Sequence, residues 1–425
     1  DFKNQSKDFK ILNFTNLIFV LISFSFCFII ISPIAGYFSN NIFDGQLTRY
    51  LIDLSLISGF FDYILLYLLT LLTAEVRAKE HSVITIMYYL LNSGLSVFIM
   101  LVFSLTFMGR IYGIIISQII SIFVLIYLCK DLFFPKLSKL FFLKSMKYSI
   151  PFYPIMLLGI SQNYLDKTIL SSSKGNASLG QYTIGVNFAI VLKQVMDAVS
   201  KSWNSFFLTK AKENSKISKA SIIEKFYLMC VLFMIMGLFI TYFAEEAIKV
   251  LTTKEYHIAI WITPIYIFFY LFAIVGYLTN MQLSIAEKMR YLIPGAVVSA
   301  IVNITLNLIL IPMYGMIGAA VAAALTSLVA QLFLFYYGMK VFPLDIGRKK
   351  ILFLYFLLTV FTIPAYFIYA LEINFILKII IKILIIYLFV FLIFKNNFIS
   401  KNQVFQIISN YKNLKKITPF INKIF

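Results

Sequence analysis

Twelve apolar runs, most of them 20 residues or longer, follow one another along this chain with only short polar connections between them. Wound as an α-helix rising about 1.5 Å per residue, such a run crosses the ~30 Å hydrocarbon layer of a bilayer. Inside that layer backbone N–H and C=O groups find no water, so each run is read as a transmembrane helix. The runs cover residues 11–37, 50–73, 82–105, 112–129, 148–170, 181–208, 222–243, 256–278, 291–311, 315–338, 351–370 and 374–394. Only 13% of the residues are charged, against roughly 25% in a soluble domain. The expected fold class is an all-α polytopic membrane protein with about twelve transmembrane helices present. No connection is long enough to form an extramembrane domain, so function must reside in or near the bilayer.

The net charge of +19 could suggest nucleic acid, but the basic residues sit in short loops between apolar runs. Membrane orientation explains them better, because cytoplasmic loops carry the excess of Lys and Arg. Of the 37 Lys and Arg, alternate loops and the two tails place 27 on one side and five on the other: Arg49, Arg110, Lys174, Lys249 and Lys254. The remaining five, Lys167, Lys193, Lys201, Lys378 and Lys382, fall within apolar runs. Both ends are predicted to be cytoplasmic. Without the run at 181–208 this bias would collapse downstream, so that run is predicted to cross the membrane, charges included.

The fourth and tenth runs open alike, IYGIII at 111–116 and MYGMIG at 313–318, and earlier runs pair at similar offsets. A six-helix repeat returning in the same orientation predicts two pseudo-symmetric bundles around a central cavity, related by an axis along the membrane normal. The corresponding division is an N-terminal bundle at 1–140, a six-helix bundle at 141–345, an added hairpin at 346–398 and a basic tail at 399–425. Two helices, roughly 60 residues, would precede residue 1 to complete the first repeat, fourteen in all.

Enzyme signatures are scarce. His81 and His257 are far apart, there is no HExxH, and no Gly-rich loop ends in Gly-Lys-Ser/Thr to hold ATP. Cys27, Cys129 and Cys230 have no metal or disulfide spacing. No enzyme activity, cofactor or metal is expected.

The sixth run, NFAIVLKQVMDAVSKSW, concentrates the chemistry. Asn187, Gln194, Asp197, Lys201 and Asn204 recur at spacings of seven, three, four and three, which lines them up on one helical face. Lys193 and Lys201 each stand four residues from Asp197, within reach of its carboxylate. An unpaired charge at a helix centre costs about 2.5–3.5 kcal/mol, so this face must look into protein or water. Two readings stay open: a substrate cavity, or an ion-pair ladder between helices with Lys201 reaching the interface.

Other helices add polar groups. Asp62 has no cation within its own run and must be protonated or paired elsewhere. The fifth run ends in SQNYLDKTIL, with Gln162 and Asn163 four residues ahead of Asp166 and Lys167. The ninth carries Ser299, Asn303 and Asn307 at spacings of four. Segment GMIGAAVAAALTS reads as a close-packing surface of small residues. Lys378 and Lys382 could reach outward past Glu372 or line a groove on the final hairpin.

SIPFYPIMLLGISQNYLDKTIL followed by LGQYTIGVNFAIVLKQVMDAVSKSWNSFF resembles the signature of Wzx-type polysaccharide and O-antigen flippases, of the multidrug/oligosaccharidyl-lipid/polysaccharide exporter superfamily. The shared features are Pro151 and Pro154, Asp166-Lys167, Gly180 with Tyr182, and Trp203 with the Phe pair after it. MYGMIGAAVAAALTSLVAQLFLFYYGMKVFP resembles a later Gly/Ala-rich helix of that family. The resemblance implies alternating access and translocation of an undecaprenyl-pyrophosphate-linked oligosaccharide, with membrane lipids and a polysaccharide polymerase or glycosyltransferases as partners and no nucleic acid. Substrate-binding candidates are Lys193, Lys201, Lys167, Asn187, Gln194, Asn204, Asn303 and Asn307. Ion-coupling or charge-balancing candidates are Asp62, Asp166 and Asp197. The rival expectations are a MATE-like cation-coupled drug exporter and a non-transporting scaffold of a glycan-assembly complex.

Overall fold

The computed structural model describes residues 7–398 apart from 43–48, 76, 106, 151–152, 214, 372 and 397. Every regular element among the described residues is helical. The tail at 399–425, Glu372 and Pro151 lie outside them, as do the side chains of Pro154, Gln162 and Asn163. The chain divides into two compact units, Asp1–Pro151 and Phe152–Phe425.

The first unit holds α1 (Lys7–Ile42), α2 (Arg49–Ala74), α3 (Ala78–Val102), α4 (Phe107–Cys129) and α5 (Lys139–Ser149). Its core is Leu65, Leu68, Leu69 and Leu72 of α2 against Ile122, Leu125 and Cys129 of α4. Short, basic α5 starts where the Ser138 hydroxyl accepts from the Phe141 amide, a standard N-cap. It packs on α1, so residues 141–151 go with the first unit, although the loop-based boundary at 140 assigns them to the second. On its other face α4 carries Gly109, Gly113, Ser117 and Ser121, all buried and four apart, a small-residue ridge that lets α3 approach closely. A Cβ added to Gly113 would stand 2.5 Å from the Ser96 backbone. Gly113→Ala is therefore expected to push α3 off α4 and cost about 1–3 kcal/mol. Gly94→Ala, whose Cβ meets nothing within 4 Å, is the control. Equal melting temperatures in detergent for both variants would remove the close-packing argument.

The second unit holds α6 (Tyr153–Glu213), α7 (Lys216–Leu251), a 3-10 helix (Lys254–Trp261), α8 (Ile262–Ile285), α9 (Leu292–Val341), α10 (Arg348–Ala370) and α11 (Phe375–Lys395). At 61 residues, α6 would be ~92 Å long if straight, three bilayer cores. It is instead two limbs. Gly175 takes φ 83°, and beyond it the Tyr182 hydroxyl returns to Asp166, sixteen residues back, at 2.5 Å. Helix α9 folds back likewise at Gly315, φ 58°; a Cβ on Gly318 would fall 2.1 Å from the Leu310 carbonyl oxygen. Among the described residues ten helices are long and apolar enough to cross a membrane, and with α6 and α9 each reversing at a glycine they form twelve apolar limbs, the number of runs in the sequence. The two glycines that suggested a repeat, Gly113 and Gly315, do different work: one admits a neighbouring helix, the other turns the chain.

Trp203, Phe207, Phe226, Phe233, Leu271, Leu358, Phe361 and Phe389 join the second limb of α6 with α7, α8, α10 and α11 in one core. The final hairpin is therefore packed into this unit, with both α10 and α11 in contact with α7.

Candidate functional site

The second limb of α6 sorts its residues by face. Ala189, Leu192, Met196, Trp203 and Phe207, spaced three or four apart or seven, are buried in the core. Val191, Val195 and Val199 are exposed on the far side. Between these faces runs the polar stripe, with Asn187, Lys193, Gln194 and Lys201 exposed and Asp197 and Asn204 half-buried. The five residues at heptad-like spacing share this flank, and Lys193, four residues from Asp197, borders it.

Within the stripe, charge is unevenly spent. Lys193 Nζ lies 2.5 Å from Asp197 Oδ2, each side chain about half exposed (48% and 48%). The other carboxylate oxygen accepts from the Tyr277 hydroxyl of α8 at 2.9 Å, and the Tyr277 carbonyl accepts from Trp203 Nε1 at 3.1 Å. Both oxygens of Asp197 are thereby engaged. Among the described residues no carboxylate lies within ion-pairing distance of Lys201. The stripe thus presents one balanced pair and one open ammonium, an arrangement suited to an anion. Tyr277 joins this candidate site through a contact that the sequence does not reveal, because it links positions 80 apart.

The remaining candidates lie elsewhere. Asp166 is buried and accepts from Tyr182 and from the Lys167 amide at 2.8 Å, so its carboxylate ties the α6 hairpin together. Lys167 stands over the Tyr164 ring at 5.5 Å. Because Tyr182 is eleven residues from Lys193 on one limb, Asp166 sits ~16 Å along the axis from the stripe. Asn303 and Asn307 are buried in the packing of α9 and bonded to one another, Nδ2 to Oδ1 at 3.0 Å. In the first unit, Asp62 is exposed on α2, and among the described residues it has no cation in ion-pairing range. One turn before it on α2, Ser58 donates to Gln118 of α4 at 3.3 Å, and within α3 Asn92 donates to Tyr88 at 3.2 Å.

Lys378 and Lys382 take neither position expected of them. Lys378 Nζ reaches Glu245 Oε1 at 2.6 Å, and fully buried Lys382 reaches Glu245 Oε2 at 3.1 Å and Glu246 Oε1 at 2.6 Å. Lys249 adds a third ammonium to Glu245 at 2.7 Å. The apolar pattern ends the seventh run at 243, whereas α7 continues to Leu251 and carries both glutamates into the packed interior.

No family model matches this sequence, and none of the curated proteins is similar to it at a significant level. Solved structures do match. The lipid II flippase MurJ in an inward closed conformation superposes with a TM-score of 0.67 at 16% identity, over 91% of this chain and 84% of that one. An outward-facing multidrug resistance MATE family transporter of the MOP superfamily gives 0.60 at 13% identity, over 78% of each chain. A MOP superfamily transporter from Pyrococcus furiosus gives 0.58 at 14% identity, again over 78% of each. The fold is that of MOP superfamily transporters. At these identities the likeness concerns fold alone.

Proposed function

We propose that this chain is a Wzx-type flippase, carrying an undecaprenyl-pyrophosphate-linked oligosaccharide across the bacterial cytoplasmic membrane by alternating access, with both ends in the cytoplasm and no enzymatic step. The observation that carries this reading is the open ammonium of Lys201 beside the Lys193–Asp197 pair. A pyrophosphate is the anionic part of such a lipid, and a transport pathway is where an intramembrane cation is worth its cost. Asn187, Gln194 and Asn204, on the same flank, offer hydrogen bonds to sugar hydroxyls. Asp197 balances Lys193 and fixes its position. A polymerase or glycosyltransferases that make and consume the lipid-linked unit are the expected partners.

The test is surface glycan display in a host deleted for this gene, restored by the wild-type chain with drug susceptibility unchanged. Restored drug resistance without glycan would favour a MATE-like exporter, and no effect on either would favour a scaffold. Asp62 is an exposed carboxylate with no ion-pair partner among the described residues, as a cation-coupling group of such a flippase would be. Asp62→Asn is expected to abolish the dependence of glycan display on the transmembrane proton or sodium gradient while leaving the protein in the membrane. Display that still collapses with the gradient in the variant would remove Asp62 from coupling.

A further inference from the structure

An open pocket of about 1010 Å³ lies at the end of the second unit where α7 and α10 begin. Lys216, Lys219 and Lys350 line it, with the rings of Tyr227 and Phe398. None of these residues belongs to the polar stripe of α6. The Lys350 ammonium stands 4.8 Å from the Tyr227 ring centre and 5.1 Å from that of Phe398. Lys219 stands 5.1 Å from the Phe342 ring. Aromatic faces hold such ammonium groups in place, so two of the three cations are built into the wall. Lys216 is the first residue of α7, and Gly347, also in the wall, precedes the first turn of α10. The positive ends of two long helices therefore add to the same field.

Glu224 and Asp345 also line the pocket. They do not cancel this field, because exposed Arg348 and Lys349 continue the basic rim next to Gly347. The lining is therefore net positive and favours an anionic occupant. The chain's own tail, with Lys401, Lys412, Lys415, Lys416 and Lys423, has the wrong sign. One turn beyond Lys350 on the same face of α10, Phe353 stacks on Phe398 of the wall and is exposed at 38%, and Phe356, stacked on Phe353, is exposed at 61%. Phosphate chemistry beside exposed apolar surface at a helix end is what a phospholipid presents, whereas a soluble phosphate has no use for the second half.

We infer that this pocket binds the phosphodiester headgroup of an anionic phospholipid, its phosphate among Lys216, Lys219 and Lys350 and its acyl chains along Phe353 and Phe356. The purified full chain, titrated in detergent with phosphatidylglycerol and separately with phosphatidylcholine, should retain the anionic lipid selectively by native mass spectrometry. Lys219→Gln/Lys350→Met, which keeps most of the packing, should weaken phosphatidylglycerol retention by at least about tenfold without changing that of phosphatidylcholine. Should the double variant prove unstable in phosphatidylcholine, Lys216→Gln, on an exposed side chain, should still weaken retention. Unchanged phosphatidylglycerol retention in whichever variant folds would overturn the proposal. Displacement of the lipid by inorganic phosphate at equal concentration would overturn it too, assigning the site to free phosphate.

Discussion

Glu245→Gln is expected to destabilise the second unit more than any other single polar substitution. Its carboxylate accepts from Lys378, Lys382 and Lys249, and the first two ammonium groups are buried. With the charge gone, Lys382 keeps Glu246, but Lys378 has no other carboxylate in range among the described residues. Removing one partner of a buried pair costs about 3–5 kcal/mol, mostly the penalty of the charge left behind. A lower melting temperature in detergent and loss of protein from the membrane fraction are the expected readouts. Glu245→Gln/Lys378→Met should recover most of the loss, since a buried pair replaced as a whole is often close to neutral. Lys249 is half exposed, so Lys249→Gln should stay within about 1 kcal/mol of wild type. A double variant as unstable as the single one would mean that Glu245 acts through something other than these lysines.

That cluster also marks where the sequence stopped being readable. Apolar run length is a property of the chain, and through it the twelve apolar limbs were legible, including the hairpins inside α6 and α9. The polar stripe of α6 was legible because Asn187, Gln194, Asp197 and Lys201 share one helix, whose period fixes which side chains meet. Contacts between helices carry no such period. Tyr277 reaches Asp197 from 80 residues away, and Glu245 meets Lys378 from 133 away. Asn303 and Asn307 meet the same limit: i,i+4 spacing puts them on one face, but only the neighbouring helices decide that this face is packed. Gly113 and Gly315 show the limit from the other side, since similar hexapeptides gave a helix interior in one place and a turn in the other.

Lys201→Ala should reduce glycan display more than Lys193→Ala, although the two lysines are symmetric about Asp197 in sequence. The Lys193 ammonium is already committed to Asp197 at 2.5 Å, and that carboxylate is also held by Tyr277. A phosphate approaching Lys193 must compete with a bound anion; one approaching Lys201 need not. A charge-assisted hydrogen bond contributes about 1.5–3 kcal/mol, so losing the Lys201 contact is expected to lower transport roughly tenfold to a hundredfold. The distinguishing experiment is Lys201→Ala/Asp197→Asn. Neutralising Asp197 releases the Lys193 ammonium and restores one open cation to the flank, so part of the lost display should return. If the stripe were only an ion-pair ladder, neutralising Asp197 would instead break the remaining pair with Lys193, and the double variant would be worse than Lys201→Ala alone. Measured against protein abundance in the membrane, the sign of that second change separates a pathway for a phosphate from a brace between helices.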